Sequence, residues 1–468
     1  MTSSESRDAD ALRQLLRHVI DTDARAIPEP AAQSTRMFLL DSLGVGVNGS
    51  ADPDAARLLD MYLAERGPAT AGVFGTRARL APADAAFMNA FQIHNAEYDC
   101  VHEGAVVHPM AVILGAVSAG LEDLSSHGIR VSGLELQATV ALAVDVAAGL
   151  GIASKAPLSF FRPATAGCFG ATLALSRLYG LSAERARHAA GIALGQLCGT
   201  MQAHIEGSPL LAMQVGFNAR NAWRSVRMAE AGVHGPHDAL AGPFGYFKLF
   251  EGDYDMAPVL DSLGARWRIC EVAHKPFPSG RATHGIIDAC MALQREHGFV
   301  VAQIDSVHAR VPPLTHRLIG RLPEPGMNAN YARLCGAYVT AVVLRNGDLQ
   351  PEDFTDEGRT RDDVASLAAR VSIEPDENPD PNALTPISIE VVLEDGRRLR
   401  RYVDTVYGNP DNPMQRAAWT TKFRRNVGRA RHSFADAGAT ADAVLEQVDA
   451  LETVTDAAEL LKLLHAPE

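Results

Sequence analysis

From about residue 10 to residue 268 the chain runs through one Ala- and Leu-rich segment of helix length after another, separated by Gly or Pro. This succession constrains the fold more than any other feature. Residues 37–50 (MFLLDSLGVGVNGS) predict a buried helix ending in glycines, and residues 169–179 a helix closed by Gly180. Ser182 is expected to cap the next helix, because its hydroxyl can accept from a free first-turn N–H. Residues 222–231 continue the pattern up to Gly232, and no fixed-period repeat suggests a solenoid. Near Arg268 the character changes. Val307, Ala309 and Val311 alternate with polar residues, as do Val371 and Ile373. Ile387, Ile389, Val391 and Leu393 line one face of a strand leading into Asp395-Gly396, a hairpin signal, with LRRYVDTV returning. Residues 284–296 and 332–345 predict helices. From about 406 the chain turns helical again, with Val444, Val448 and Leu451 on one face and a last short helix after Thr455-Asp456. The expected fold is mainly α with an α+β insertion. A large all-helical domain takes residues 1–269 and 405–468, and a smaller α+β lid domain takes residues 270–404.

A chain of 468 residues is too long for one simple core, which agrees with two domains. Apolar content of 47% with 21% charged residues is ordinary for a soluble globular protein. The net charge of −13 argues against nucleic acid or an anionic membrane surface as a partner. Six scattered cysteines without a C-x-x-C pair disfavour zinc and iron–sulfur frameworks and fit reduced cytosolic thiols. The opening MTSSESRDADALRQ has no signal-peptide character. The apolar runs after Pro109 and around residues 138–148 fall short of the ~20 residues of a membrane span, and Asp145 interrupts the second. A soluble, cytoplasmic protein is expected.

Three stretches can carry chemistry. Residues 94–109 (HNAEYDCVHEGAVVHP) hold His94, His102 and His108 with Glu97, Asp99 and Glu103, between two apolar alanine-rich segments. Titratable groups so placed suit an acid–base site on a loop between core helices; the alternative is a polar surface loop with idle histidines. Residues 274–284 (HKPFPSGRATH) present Lys275, Ser279, Arg281 and His284 on a segment stiffened by two prolines. Such a segment can grip a carboxylate at low ordering cost; the alternative is a boundary turn with solvated charges. In SFFRPATAGCFG, Arg162 precedes a small-residue helix start, where it either meets an anion or pairs with a structural carboxylate. Tyr338, on an apolar helix, is a weaker candidate that core packing also explains. Cys100 is rejected as a nucleophile, since adjacent carboxylates disfavour its thiolate. No G-x-S-x-G, P-loop, H-E-x-x-H or dinucleotide fingerprint is present.

Taken in order, LLDSLGVGVNGS, AFMNAFQIHNAEYDCVHEGAVVHP, FFRPATAGCFGA, HKPFPSGRATHGIIDA and NPMQRAAWTTKF resemble the MmgE/PrpD family, which includes 2-methylcitrate dehydratase. The resemblance implies a helical domain built from both chain ends, a lid between them, a site in the intervening cleft and a homodimer. It also implies a small carboxylic acid as substrate, with no metal or organic cofactor. His94, Glu97, Tyr98, Asp99, Cys100, Val101 and His108 match the family loop H-A-x-D-F-D-D-T and its following histidine. Lys275 through His284 match K-P-Y-P-S-C-R-x-T-H, with Gly280 in place of cysteine, and Tyr338 falls at a family tyrosine. Three departures stand out: Cys100-Val101 removes an acid and a hydroxyl, Phe161-Arg162-Pro163-Ala164 replaces W-H-P-T, and Leu211 replaces a lysine. By resemblance, His108 is general base or acid, and Lys275, Arg281 and Arg162 hold carboxylates and offset developing charge. Tyr338 or His102 returns a proton, while Glu97 and Asp99 orient histidines. His94, Ser279 and His284 complete the substrate contacts. The implied reaction is elimination of water from a hydroxylated di- or tricarboxylic acid. The alternatives are an epimerase or decarboxylase of a related acid, and a non-catalytic acid-binding paralogue.

Overall fold

The computed structural model describes residues 10–65 and 67–466. The first nine residues, part of the stretch 1–14 on which the signal-peptide expectation falls, lie outside the described residues. Six long helices build the larger part: α1 (Glu29–Gly49), α2 (Pro82–His94), α3 (Pro109–Ser126), α4 (Gly133–Ala153), α5 (Arg162–Leu178) and α6 (Leu210–Glu230). α3 and α4 are apolar nearly all round, so water cannot be left on any face and other helices surround them. Small residues let these helices approach closely: a Cβ on Gly115 of α3 would lie 2.6 Å from the Ala90 side chain of α2. α4 is, contrary to expectation, long and apolar enough to cross a membrane, but its apolar window is 94% buried inside this bundle. Asp145 within it pairs with His18 Nε2 at 2.9 Å and accepts the Arg268 backbone N–H at 2.7 Å. α5 begins at Arg162, seven residues before the expected start, with Pro163 in the first turn, where its missing N–H costs nothing. Ser182 caps the following helix by accepting from the Arg185 N–H.

Residues beyond 406 rejoin this bundle, and one apolar cluster takes in residues from Ala11 to Val272 and from Met414 to Leu464, together with Leu334. The Phe423 ring seats where a side chain on Gly44 would be, 2.6 Å from the missing Cβ.

A second apolar cluster spans Phe277 to Val406. It lies between α7 (Arg281–His297), α9 (Gly336–Asn346) and a four-stranded sheet of β1 (Ile304–Val311), β2 (Val371–Pro375), β3 (Ile387–Leu393) and β4 (Arg398–Val403), with α8 (Pro313–Ile319) following β1. The strand order is β2-β1-β3-β4, with β1 parallel to β2 and the other pairs antiparallel. Val307 stands opposite Val371 on one side and Val391 on the other, so the alternating apolar residues share one face. α9 starts later than expected because Cys335 is extended, leaving Ala329–Arg333 as a separate turn of helix. The architecture is a large helical part with a smaller mixed α/β part.

Candidate active site

α2 ends at His94 and α3 begins at Pro109, so the titratable stretch is the link between two neighbouring buried helices. Val101 in this link forms an antiparallel bridge with Ala273, through N–H···O contacts of 3.0 and 2.7 Å. That bridge carries the proline-stiffened segment, and with it Lys275, onto the histidine loop. Glu97 (φ 50°) and Val106 (φ 51°) are the non-glycine residues with positive φ among the described ones, and both lie in this loop. For a β-branched residue such as Val106 this is a strained backbone, worth about 1–3 kcal/mol, held by its surroundings.

The loop converges on Asp99. Its Oδ2 lies 3.0 Å from His94 Nδ1 and 3.2 Å from His108 Nδ1, and the two rings meet edge to face at 4.9 Å. Lys275 Nζ, fully buried, donates to Glu97 Oε2 at 2.8 Å and lies 3.8 Å from Asp99 Oδ1. Burial raises the pKa of both carboxylates, but the charges around them prevail. Lys275, His94 and His108 bring Glu97 down from 4.5 to about 2, and the two histidines hold Asp99 well below the usual carboxylate range. The two imidazoles are driven apart. Burial opposes charge on His94, yet Asp99 and Glu97 together outweigh it and raise its pKa. At His108 burial prevails over Asp99, Lys275 adds repulsion, and the pKa falls. The shared carboxylate thus biases one ring toward its protonated form and leaves its neighbour biased toward the free base, the division of labour that proton-transfer sites use.

His108 and Glu97 open onto a cavity of about 70 Å³ between the two parts of the protein. Its walls are mostly apolar, with Phe161 and Met201 on the helical side and Ile319 and Leu334 on the other, and its remaining polar members are His204 and Arg281. Arg281 is heavily committed: Nε pairs with Glu103, and its other nitrogens donate to the carbonyls of His274, Tyr407 and Val406. Ser279 Oγ bonds Thr283 Oγ1, and its carbonyl accepts from His284 Nε2. Burial and the adjacent Arg281 hold His284 neutral.

Other expected residues are not brought to this cavity. Arg162 is buried in an ion pair with Glu251 at 2.9 Å and also donates to Ser154 Oγ and the Ala105 carbonyl. The expected ligand contact is thereby replaced by a structural one. Tyr338 packs in the second core and donates to the Asp353 carbonyl at 2.6 Å. Both ring nitrogens of His102 are engaged, Nε2 with Glu271 at 2.9 Å and Nδ1 with the Ala105 N–H. Cys100 is buried beside Asp41 and Asp99, and burial first, then those charges, push its thiol pKa well up. Leu211 is buried in α6. Two residues of the site escape sequence reasoning: His204, on a five-residue helix without periodicity, and Lys422. Lys422 reaches from the C-terminal region to the Tyr98 carbonyl (2.9 Å) and Asp41 (2.7 Å), with the Tyr98 ring 4.1 Å away. Scarcity is the one signal for it: the chain has five lysines, and Lys275 and Lys422 are buried.

One oxygen of Asp99 and one nitrogen each of His94 and His108 lie within 4.8 Å of one another, a spacing a divalent ion could accept. Lys275 fits that use poorly, since its ammonium already lies 3.8 Å from Asp99 and would repel a cation there.

Two family models match the chain: the MmgE/PrpD N-terminal domain over residues 13–258 and the MmgE/PrpD C-terminal domain over residues 277–447. Similar relatives include cis-aconitate decarboxylase of Aspergillus terreus, 26% identical over 94% of this chain and 93% of its own. The cis-aconitate decarboxylases of Mus musculus and Homo sapiens are each 28% identical, over 92% and 93% of this chain and 89% and 90% of theirs.

Proposed function

The chain belongs to the MmgE/PrpD family, and from that premise we propose that it is an enzyme that removes a proton next to the carboxylate of a small hydroxylated acid. The observation that carries this reading is the sharing of Asp99 by His94 and His108, with the pKa values of the two imidazoles displaced in opposite directions. Asp99 engages the Nδ1 side of His108 and leaves Nε2 to take the proton. The electron pair left on carbon is spread into the carboxylate, where buried, pre-positioned cations stabilise it most. Arg281 lines this face, and Lys275 stands behind it bonded to Glu97. Departure of a β-hydroxyl, protonated as it leaves, gives water and an unsaturated acid. His94, whose pKa is raised by Asp99 and Glu97 against the effect of burial, serves as the acid. Return of the proton to the other face of the same carbon gives an epimer instead. A second reading, loss of carbon dioxide, is favoured by the activity named for the relatives. The same two imidazoles then serve to place a proton on carbon.

Incubation of the purified protein in D₂O with hydroxy and unsaturated acids, followed by proton NMR, tests the reading. A new vinyl signal marks elimination, deuterium uptake without net product marks epimerisation, and loss of a carboxyl carbon marks decarboxylation. Absence of any exchange across the panel contradicts the proposal.

A further inference from the structure

The cavity that His108 faces is built for less charge than a tricarboxylic acid brings. Glu97 is matched by Lys275 and Glu103 by Arg281, and the lining is otherwise mostly apolar. Arg162 is paired with Glu251 and adds no free cation. Behind the cavity stands Arg321, just past α8. Among the described residues no carboxylate is in contact with it, and its Nη1 is buried without a partner. Arg321 therefore brings a positive charge that no contacting carboxylate offsets.

Arg321 fixes the state of His204. Its Nη2 donates to the His204 carbonyl at 2.8 Å and to His204 Nδ1 at 3.1 Å. A guanidinium can only donate, so Nδ1 must be the lone-pair nitrogen and Nε2 must carry the hydrogen. Burial, and then the charge of Arg321, hold His204 neutral, with its pKa near 4. The pairing is rigid: Arg321 lies over the Tyr331 ring at 4.9 Å, and a Cβ on Gly207 would come within 2.6 Å of the Tyr331 backbone. His204 thus lines the cavity as an uncharged N–H donor. Such a donor suits a hydroxyl or carbonyl oxygen, and the apolar walls suit a hydrocarbon arm.

We propose that this cavity takes a short, singly charged carboxylic acid bearing a hydroxyl or carbonyl oxygen and an apolar arm, in preference to di- and tricarboxylic acids. His204, set as an Nε2–H donor by Arg321, is its specificity-determining contact. The inference rests on the proton-transfer reading above and narrows its substrate class.

The test uses the full-length protein in D₂O with 2-hydroxybutanoate, 3-hydroxybutanoate, malate, citrate and cis-aconitate at equal concentrations, reading deuterium uptake by proton NMR. The hydroxybutanoates should exchange faster than the di- and tricarboxylates by roughly tenfold or more. Equal or faster exchange of malate, citrate or cis-aconitate overturns the substrate class while leaving proton transfer intact. If nothing exchanges, proton transfer fails, and calorimetric titration of the same acids decides the inference. Tighter binding of the singly charged acids upholds it; equal, weaker or no binding overturns it. His204→Phe keeps the volume without the N–H and should abolish the selectivity, whereas His204→Gln should retain most of it. Unchanged selectivity in His204→Phe removes His204 from the proposal. The positioning role of Arg321 is read from the imidazole ¹⁵N shifts of His204. The wild type should show a protonated Nε2 and a bare Nδ1, and Arg321→Gln a mixture of tautomers; identical spectra refute that role.

Discussion

Replacing Lys275 by Met keeps most of the side-chain volume and removes the ammonium that Glu97 bonds at 2.8 Å. In the folded protein the Glu97 carboxyl titrates at about 2 instead of 4.5. The whole of that depression corresponds to about 3 kcal/mol of stability at neutral pH, and since His94 and His108 share in it, about 3 kcal/mol is the upper bound on what removal of Lys275 costs through Glu97. Unfolding 468 residues carries an entropy of about 1 kcal/mol per kelvin, so the melting temperature should drop by up to about 3 °C. The pH dependence gives the sharper signature. A carboxylate with a depressed folded pKa contributes stability that is complete above its unfolded pKa, here near 4.5, and is lost as pH falls through the folded value. The gap between wild type and Lys275→Met should therefore be full at pH 7 and narrow below about pH 4.5. Thermal melts followed by circular dichroism from pH 7 to pH 3.5 read it directly. A variant that melts with the wild type at pH 7, or a gap that widens on acidification, refutes the Glu97–Lys275 energetics.

The opposite displacements of His108 and His94 predict a bell-shaped pH–rate profile. Activity should rise as His108 loses its proton below pH 6.5 and fall as His94 loses its own above it, and a profile that only rises with pH contradicts the role of His94. Arg162→Met should destabilise the protein by about 3–5 kcal/mol by stranding Glu251, with much of the loss recovered on adding Glu251→Gln. Denaturant titration of the two variants checks this, and equal instability of both argues against the pairing. Prolonged dialysis against EDTA should leave turnover unchanged, as Lys275 beside Asp99 disfavours a resident cation; activity lost to the chelator and restored by a divalent ion would reverse that statement.

What could be read from the sequence was local. The strand Ile387–Leu393 shows its alternation in seven residues, and the helix ending in the glycines around residue 49 shows its apolar run. The loop from His94 to Pro109 declares itself because buried helices flank titratable residues on both sides. What depends on a distant partner was hidden. Arg162 looks like a ligand residue until Glu251, 89 positions away, is seen to hold it. Tyr338 looks like a site residue until its hydroxyl is found on a backbone carbonyl in its own core. His204 carries no signal of its own, since its chemistry is conferred by Arg321, 117 positions on and in the other part of the protein. Chain-level pattern gives faces and elements, while the assignment of each charge requires knowing which long-range contact neutralises it.

His108 is the group proposed to take the proton from carbon, and His108→Asn tests this most directly. The variant keeps a polar side chain beside Asp99 but cannot accept a proton. With whichever acid the wild type exchanges in D₂O, the variant should lose about 10²-fold or more in exchange rate while its melting temperature stays near that of the wild type. Exchange by the variant within a few-fold of the wild type, with the fold intact, would contradict the account.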